Sequence, residues 1–300
     1  MNLLDRLVAL TLPIVPKAIV AKVSSKYIAG ETREAMVRVV RELNTEGAMG
    51  TVDVLGEDTI EPSQAEETVV EYERAIESII EHDLDCNVSI KLTALGLMID
   101  PALCRDNIER IVAAARPHGM FVRIDMEDSS VTTATLDHYH EAKTSHDAVG
   151  PVLQAYMRRS DDDARALLAS GPVNVRLCKG IYREPEEVAF QDREEVRDSY
   201  RSLLRTFMEG GAYVGIATHD EPLITAGVEL VKELGVPRDR YEFQMLLGVI
   251  PQIRRRLIEE GHRLRVYVPY GKHWYGYSVR RLRENPKIAG YVLKAMFTGK

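Results

Sequence analysis

Past residue 30, short apolar runs rich in β-branched residues alternate with longer segments in which apolar positions recur every three or four residues. The short runs are typical of buried parallel strands, and the longer spacing is typical of amphipathic helices. Strands are predicted at 50–55, 87–92, 121–125, 149–156, 173–178, 213–218, 241–245 and 263–268. Helices are predicted at 63–81, 101–115, 131–143, 161–170, 194–209, 222–233, 251–260 and 275–296.

The order of these elements predicts an α/β fold. Eight strand–helix repeats in series indicate a parallel sheet, and eight strands are the number that closes a TIM-like (β/α)8 barrel. An open, doubly wound sheet is the rival, but no G-x-G-x-x-G pattern follows the first strand. We therefore predict a barrel domain at residues 46–300, preceded by an N-terminal helical segment at residues 1–45.

The N-terminal segment is apolar between Leu3 and Val20, with interruptions at Pro13 and Pro16. A helical segment that covers the barrel is the ordinary interpretation, and a segment lying in a membrane interface is the alternative. Asp5 comes early and no small-x-small cleavage pattern follows, so we expect no signal peptide. No run reaches the roughly 18–20 apolar residues of a membrane span.

Composition narrows the class of protein. The formal net charge is −7, which argues against a nucleic-acid partner, and no run of Lys or Arg rescues that idea. Cys86, Cys104 and Cys178 have no C-x-x-C spacing, which indicates a reducing compartment. We expect a cytoplasmic protein, and peripheral contact with the inner face of the cell membrane stays open.

Polar residues cluster at the predicted strand ends, where barrels of this class carry their functional groups. Burying such residues without partners costs a few kcal/mol each, so together they predict a site at this rim. Taken alone, Lys91 could simply pair with Asp125 or Glu57. No cluster of His, Cys and carboxylate residues has metal-ligand spacing, and we expect no metal. His138 and His140 would diverge on a helix and are interpreted as surface residues.

A second candidate feature lies near the C-terminus. On a helix, Tyr277, Arg280, Arg281 and Glu284 share one face, because positions three, four and seven apart are neighbours. Two adjacent guanidinium groups repel each other unless an anion lies between them, and their planar donors suit a carboxylate or a phosphate. A solvated charged face with a local Arg–Glu pair is the plain alternative.

In these features the chain resembles the proline dehydrogenase family, over nearly its whole length past residue 45. The resemblance depends on the segments 55–57, 89–92, 154–156, 176–182, 217–219 and 243–244, with Asp125, Tyr267 and the Tyr277-x-x-Arg280-Arg281-x-x-Glu284 pattern. It implies a distorted (β/α)8 barrel with extra N-terminal helices. It also implies a flavoenzyme that uses FAD to oxidise L-proline to Δ1-pyrroline-5-carboxylate and passes the electrons to a membrane quinone. No aldehyde dehydrogenase segment occurs here, so a separate pyrroline-5-carboxylate dehydrogenase would act downstream.

The resemblance also implies roles for individual residues. Those that hold the substrate would be Lys91, Arg280, Arg281, Tyr267, Tyr277 and Leu246. Those that hold the flavin would be Met126, Gln154, Arg176, Lys179, Gly180, Ile181, Thr218, His219, Gln244 and Glu284. Asp125 and Arg176 match catalytic positions, and Glu57 matches the partner of Arg280 in an ion-pair gate. The sequence departs from the large bifunctional relatives at Asp220, where Asn is common, and in the shorter loop at 271–276.

Chemistry argued from the residues agrees with this expectation. A cationic clamp on the carboxylate would hold the substrate ring against the flavin, and such positioning supplies much of catalysis. A guanidinium such as Arg176 beside the flavin would stabilise its reduced, electron-rich ring. Two alternatives stay open: a Schiff-base lyase or aldolase that uses Lys91 or Lys179, and a non-enzymatic anion-binding barrel.

Overall fold

Eight parallel strands close into a barrel in the computed structural model, which describes residues 20, 25–56, 59–275 and 277–278. The strands are β1 (Met49–Val54), β2 (Cys86–Ile90), β3 (Val122–Ile124), β4 (Val149–Gln154), β5 (Asn174–Cys178), β6 (Tyr213–Ala217), β7 (Tyr241–Leu246) and β8 (Leu264–Tyr270). β8 pairs with β1 from Met49↔Arg265 to Val54↔Tyr270, and this pairing closes the sheet. The predicted (β/α)8 barrel is therefore confirmed, and the open sheet is excluded.

In the described part of the chain, an α-helix precedes β1 and further α-helices alternate with the strands. They are α1 (Arg33–Thr45), α2 (Pro62–Glu81), α3 (Pro101–Ala115), α4 (Thr132–Ser145), α5 (Ser160–Ala169), α6 (Arg193–Glu209), α7 (Glu221–Glu233) and α8 (Pro251–Glu259). The helix predicted at 275–296 lies almost wholly outside the described residues. α1 packs against β1 and β8, and the domain boundary at residue 45 stays a prediction.

Side-chain caps explain where several helices begin. Thr32, Asp100 and Asp192 each accept a hydrogen bond from a backbone N–H in the first turn of α1, α3 and α6. Such caps satisfy donors that would otherwise have no partner at a helix start. No helix in the described part of the chain is long and apolar enough to cross a membrane.

The surface assignment of His138 is wrong. His138 is buried on α4, with its ring Nδ1 3.4 Å from the Glu141 carboxylate, whereas His140 is exposed. The buried face of α4 also carries Thr132 and Thr135, so its polar and apolar positions do not separate cleanly along the sequence. A face of that composition gives a weak amphipathic signal, which is why the sequence misplaced the residue.

Glycines on two strands make room for long polar side chains inside the barrel. A Cβ on Gly150 of β4 would lie 2.7 Å from an Arg123 guanidinium nitrogen and 2.0 Å from the Asn174 carbonyl oxygen. A Cβ on Gly215 of β6 would lie 2.5 Å from Gln244 Nε2. All three distances are too short for real atoms, so these strands need glycine at these positions. The barrel interior is thus built around polar side chains as well as apolar ones.

Candidate active site

A cavity of about 1140 Å³ opens at the carboxyl ends of the strands. The predicted site residues that line it are Lys91, Asp125, Met126, Gln154, Arg176, Lys179, Gly180, Ile181, Thr218, His219, Gln244, Leu246, Tyr267 and Tyr277. They come from strands spread around the barrel, and the fold brings them to one place. Glu57, Arg280, Arg281 and Glu284 lie outside the described residues, so the predicted ion-pair gate does too. The individual roles of all these residues stay predictions.

Lys91, which follows β2, is the centre of the cationic side of the cavity. Its Nζ lies 2.7 Å from Asp53 Oδ1, 3.3 Å from Asp125 Oδ2 and 2.8 Å from the Tyr267 hydroxyl. The sequence anticipated the pair with Asp125 but not the closer one with Asp53, a residue of β1 that is 1% exposed. An aspartate inside a predicted buried strand was the available signal, because a buried carboxylate needs a partner.

Asp125 joins both cations of the site. It accepts hydrogen bonds from Ser89 Oγ at 2.7 Å, from the Tyr267 hydroxyl at 2.8 Å and from the Arg176 guanidinium. Burial alone raises the pKa of Asp125, but the charges of Arg176 and Lys91 outweigh burial and hold that pKa below its usual value. Asp125 is therefore an ionised acceptor at neutral pH.

Tyr267 of β8 is held as a neutral phenol. Burial, followed by the negative charges of Asp125 and Asp53, raises the pKa of Tyr267 well above its usual value. The hydroxyl can therefore donate to Asp125 while its oxygen accepts from Lys91. Its ring also lies under two cations, with Lys91 Nζ 5.5 Å and the Arg176 guanidinium carbon 5.3 Å from the ring centre.

On β5 and β7 the cavity wall continues into the barrel. Arg176 donates through Nε to Gln244 Oε1, and Gln244 donates through Nε2 to Glu242 Oε1 at 2.6 Å. Glu242 also accepts from Arg265 Nε at 2.8 Å. Neither Glu242 nor Arg265 was predicted as a site residue, although the polar pair 242 and 244 at a spacing of two signals one face of a strand.

Lys179 and its neighbours form the outer rim of the cavity. Lys179 Nζ lies 2.9 Å from Asp220 Oδ2, and Arg197 of α6 donates from two guanidinium nitrogens to the same carboxylate. Burial raises the pKa of Asp220, but the bonds from Arg197 and Lys179 dominate and lower it to about 2. Asp220 is thus an anion that fixes two cations, Lys179 and Arg197, at the rim.

Backbone geometry at the rim also has chemical consequences. Gly180 has φ +109°, and a Cβ there would lie 2.1 Å from the Tyr156 ring, so only glycine fits after Lys179. His219 accepts a hydrogen bond through Nε2 from the Leu246 N–H at 2.9 Å. The neutral ring therefore carries its proton on Nδ1. Gln154 is anchored by donation from Nε2 to the Glu127 carbonyl oxygen at 2.8 Å.

Tyr277 gives the cavity an apolar wall on the C-terminal side. It is 6% exposed and packs with Ile28, Leu55 and Trp274. Leu246 and Met126 line the same cavity from β7 and from the loop after β3. The arrangement pairs two buried cations with aromatic and aliphatic walls, which suits a small molecule that has both a charged group and an apolar ring.

Comparisons with known proteins agree with this geometry. The family model for proline dehydrogenase matches residues 36–293. Proline dehydrogenase 1 of Bacillus subtilis strain 168 is 38% identical over 271 residues, which cover 90% of this chain and 89% of the relative. Proline dehydrogenase of Deinococcus radiodurans is 36% identical over 281 residues, which cover 92% of this chain and 90% of the relative.

A solved structure matches the same fold. Proline utilization A from Bdellovibrio bacteriovorus superposes with a TM-score of 0.82 at 26% sequence identity. The match covers 88% of this chain and 33% of that longer protein. Because the family model and the full-length relatives agree over most of the sequence, this chain belongs to the proline dehydrogenase family.

Proposed function

We propose that this chain oxidises L-proline to Δ1-pyrroline-5-carboxylate with FAD as the hydride acceptor. The observation that carries the proposal is the cluster of Lys91, Arg176 and Tyr267 around Asp125 at the floor of the cavity. Fixed donors and charges of this kind orient a small zwitterion without reorganising during the reaction. The relatives compared above are named proline dehydrogenases, which supports the substrate and the oxidation.

The cavity fits a cofactor of the size and polarity of FAD. Its volume of about 1140 Å³ lies just above the roughly 300–1,000 Å³ of ordinary small-molecule pockets, which supports a ligand as large as FAD. Gln154, Lys179, Thr218 and His219 offer hydrogen-bonding groups along it, and Gly180 lets the backbone come close. When bound, the flavin would supply the acceptor for a hydride from the ring carbon next to the proline nitrogen.

The charges of the described residues bear on substrate binding. Asp53 and Asp125 balance Lys91 and Arg176, so a further carboxylate would need further cations. Arg280 and Arg281, which lie outside the described residues, are the proposed source of those cations. Lys91 would then bridge to the proline carboxylate, while Tyr267, Tyr277 and Leu246 would enclose the pyrrolidine ring.

Charged groups of the chain also affect how readily the substrate nitrogen loses its proton. An amine must be neutral before its neighbouring carbon can give up a hydride. The further cations proposed at Arg280 and Arg281 would favour the neutral amine, because they repel the proton that charges it. Asp125 would not take up that proton, since its own pKa lies below the usual value.

The Schiff-base alternative is not favoured. A lysine nucleophile must be a free neutral amine, whereas Lys91 lies between two carboxylates and Lys179 is paired with Asp220. Both amines are thus engaged as cations. We further propose, from the family resemblance, that a membrane quinone takes the electrons during peripheral contact with the membrane, and that a separate pyrroline-5-carboxylate dehydrogenase consumes the product.

An absorbance spectrum of the purified protein tests the cofactor directly. We expect a yellow solution, from which acid releases FAD rather than a smaller flavin, as chromatography would show. A colourless protein that borohydride links covalently to an aldehyde or ketose substrate would overturn the proposal in favour of the lyase. A colourless protein that binds carboxylates tightly without turnover would favour the anion-binding barrel.

A further inference from the structure

We propose that Glu242, which does not line the cavity, is a positioning residue that sets the orientation of Arg176 through the amide of Gln244. The inference rests on the proposed flavin chemistry and adds a residue to it. Glu242 and Gln244 lie two positions apart on β7 and so point to the same side of the strand. Arg176 reaches Gln244 from β5, across the barrel interior.

The carboxylate of Glu242 is fixed from two sides. Its Oε1 accepts from Arg265 Nε at 2.8 Å, and its Oε2 accepts from the Tyr213 hydroxyl at 2.8 Å. Burial raises the pKa of Glu242, but Arg265 and the hydrogen bonds from Tyr213 and Gln244 lower it to about 2. Glu242 is therefore ionised at neutral pH, and an ionised carboxylate can only accept hydrogen bonds.

That constraint decides which way the Gln244 amide faces. Gln244 lies between Glu242, which only accepts, and Arg176, which only donates. Its Nε2 therefore meets Glu242 Oε1 at 2.6 Å, and its Oε1 accepts from Arg176 Nε. A reversed amide would place oxygen against oxygen and N–H against N–H, which leaves buried polar groups without partners.

The space around the Gln244 amide does not allow the amide a different position. Gly215 of β6 is the register neighbour of Glu242, and a Cβ at Gly215 would lie 2.5 Å from Gln244 Nε2 and 2.9 Å from Cδ. The absence of a side chain there is what admits the amide. With Nε held by Gln244, Arg176 presents Nη1 to Asp125 and to Ser89 Oγ, the latter at 3.2 Å. The guanidinium plane is thus fixed at both edges.

The experiment compares two variants that touch the same carboxylate. Glu242→Gln removes the charge that orients Gln244, because an amide can donate as well as accept. Tyr213→Phe removes the bond to Oε2 and leaves both the carboxylate charge and the Gln244 bond to Oε1 in place. Sulfite adds to oxidised flavins as an anion, so its affinity, followed by bleaching of the flavin spectrum, reports the cation beside the ring.

We expect Glu242→Gln to bind sulfite about tenfold more weakly than the wild type, the worth of one charge-assisted hydrogen bond. Tyr213→Phe should bind sulfite as the wild type does, although both variants should unfold at lower temperature. If Glu242→Gln fails to fold, Gly215→Ala gives a second test, because its Cβ displaces the amide without changing any charge. It should also weaken sulfite binding.

Two results would overturn the inference alone. The first is a wild-type sulfite affinity in Glu242→Gln or, where that variant does not fold, in Gly215→Ala. The second is a loss of sulfite affinity in Tyr213→Phe as large as that in Glu242→Gln. Both presuppose wild-type protein that holds flavin. Wild-type protein without flavin would instead overturn the proposed function, so the two failures are distinguishable.

Discussion

Two of the groups of buried charges inside the barrel differ in what they face. The cavity cluster consists of Lys91, Asp53, Asp125, Arg176 and Tyr267, which hydrogen bonds and ion pairs join at or next to the cavity. The inner pair consists of Arg265 and Glu242, neither of which lines the cavity. Arg265 also donates a hydrogen bond to the Gly50 carbonyl oxygen at 2.6 Å, and Glu242 also accepts one from the Tyr213 hydroxyl.

The difference separates charges that hold the barrel from charges that a ligand can meet directly; Glu242 acts on the site only through Gln244. Taking charges out of water is costly, and a buried pair repays that cost only when its remaining donors and acceptors are satisfied. The inner pair is satisfied by strand backbone and neighbouring side chains, so its bonds hold the barrel. The cavity cluster is satisfied too, but Lys91 and Arg176 border open space, where a ligand can take part in their bonding. Substitutions in the two groups should therefore fail in different ways.

The largest effect is expected from breaking the inner pair. Arg265→Met leaves Glu242 as a buried charge without its cation, which costs about 3–5 kcal/mol of unfolding free energy. Urea unfolding followed by circular dichroism measures this loss. Glu260→Gln is the matched control, because that carboxylate is half-exposed and should change the unfolding midpoint little. An unchanged urea midpoint in Arg265→Met would contradict the claim that the inner pair holds the barrel together.

Arg176→Met should be the most damaging change in the cavity cluster. Loss of one preorganised charge at the reacting group lowers turnover by about 10²–10³-fold. Turnover is measured per mole of bound flavin with a dye acceptor. Arg205→Met, on the exposed side of α6 and paired with Glu233, is the control and should turn over normally. Flavin content and turnover both intact in Arg176→Met would exclude the role.

Substitutions at Lys91 and Asp53 should distinguish a residue that binds the substrate from a residue that positions the lysine. Lys91→Met removes a proposed contact to the substrate carboxylate and should lower kcat/KM for proline by about 10–100-fold. Asp53→Asn keeps the lysine but loses the charge that holds it, so we expect the smaller loss, about tenfold. Steady-state kinetics over a range of proline concentrations measures both. A larger loss in Asp53→Asn than in Lys91→Met would reverse the assignment.

The smallest effect is expected at the rim, in the response to acid. The folded-state pKa of Asp220 is about 2, below the usual 3.8, so its ionised form adds stability at higher pH. That contribution is present above about pH 3.8 and is lost as pH falls toward about 2. Between these values Asp220→Asn should lose less stability than the wild type, as thermal unfolding at each pH would show. If the unfolding temperatures of Asp220→Asn and the wild type fell in parallel with pH, the assigned role of the ionised Asp220 would be contradicted.

The sequence predicted the barrel and most of the rim because both are local patterns. Strands of a parallel barrel end at one face, so polar residues at strand ends could be grouped without coordinates. Asp53 and Glu242 were missed because their partners depend on strand register across the barrel. His138 was misplaced because the buried face of α4 mixes polar and apolar residues. The residues at 280–284 stay predictions from helical spacing.

Anaerobic addition of L-proline to the purified flavin-bound protein tests the central claim most directly. The cavity cluster is proposed to hold proline for hydride transfer, so the flavin absorbance should bleach as proline is added. A pyrroline trapped with an aminobenzaldehyde reagent should form in equal amount. Lys91→Met should need far more proline for the same bleaching. An unbleached spectrum at saturating proline, in protein shown to hold FAD, would contradict the account.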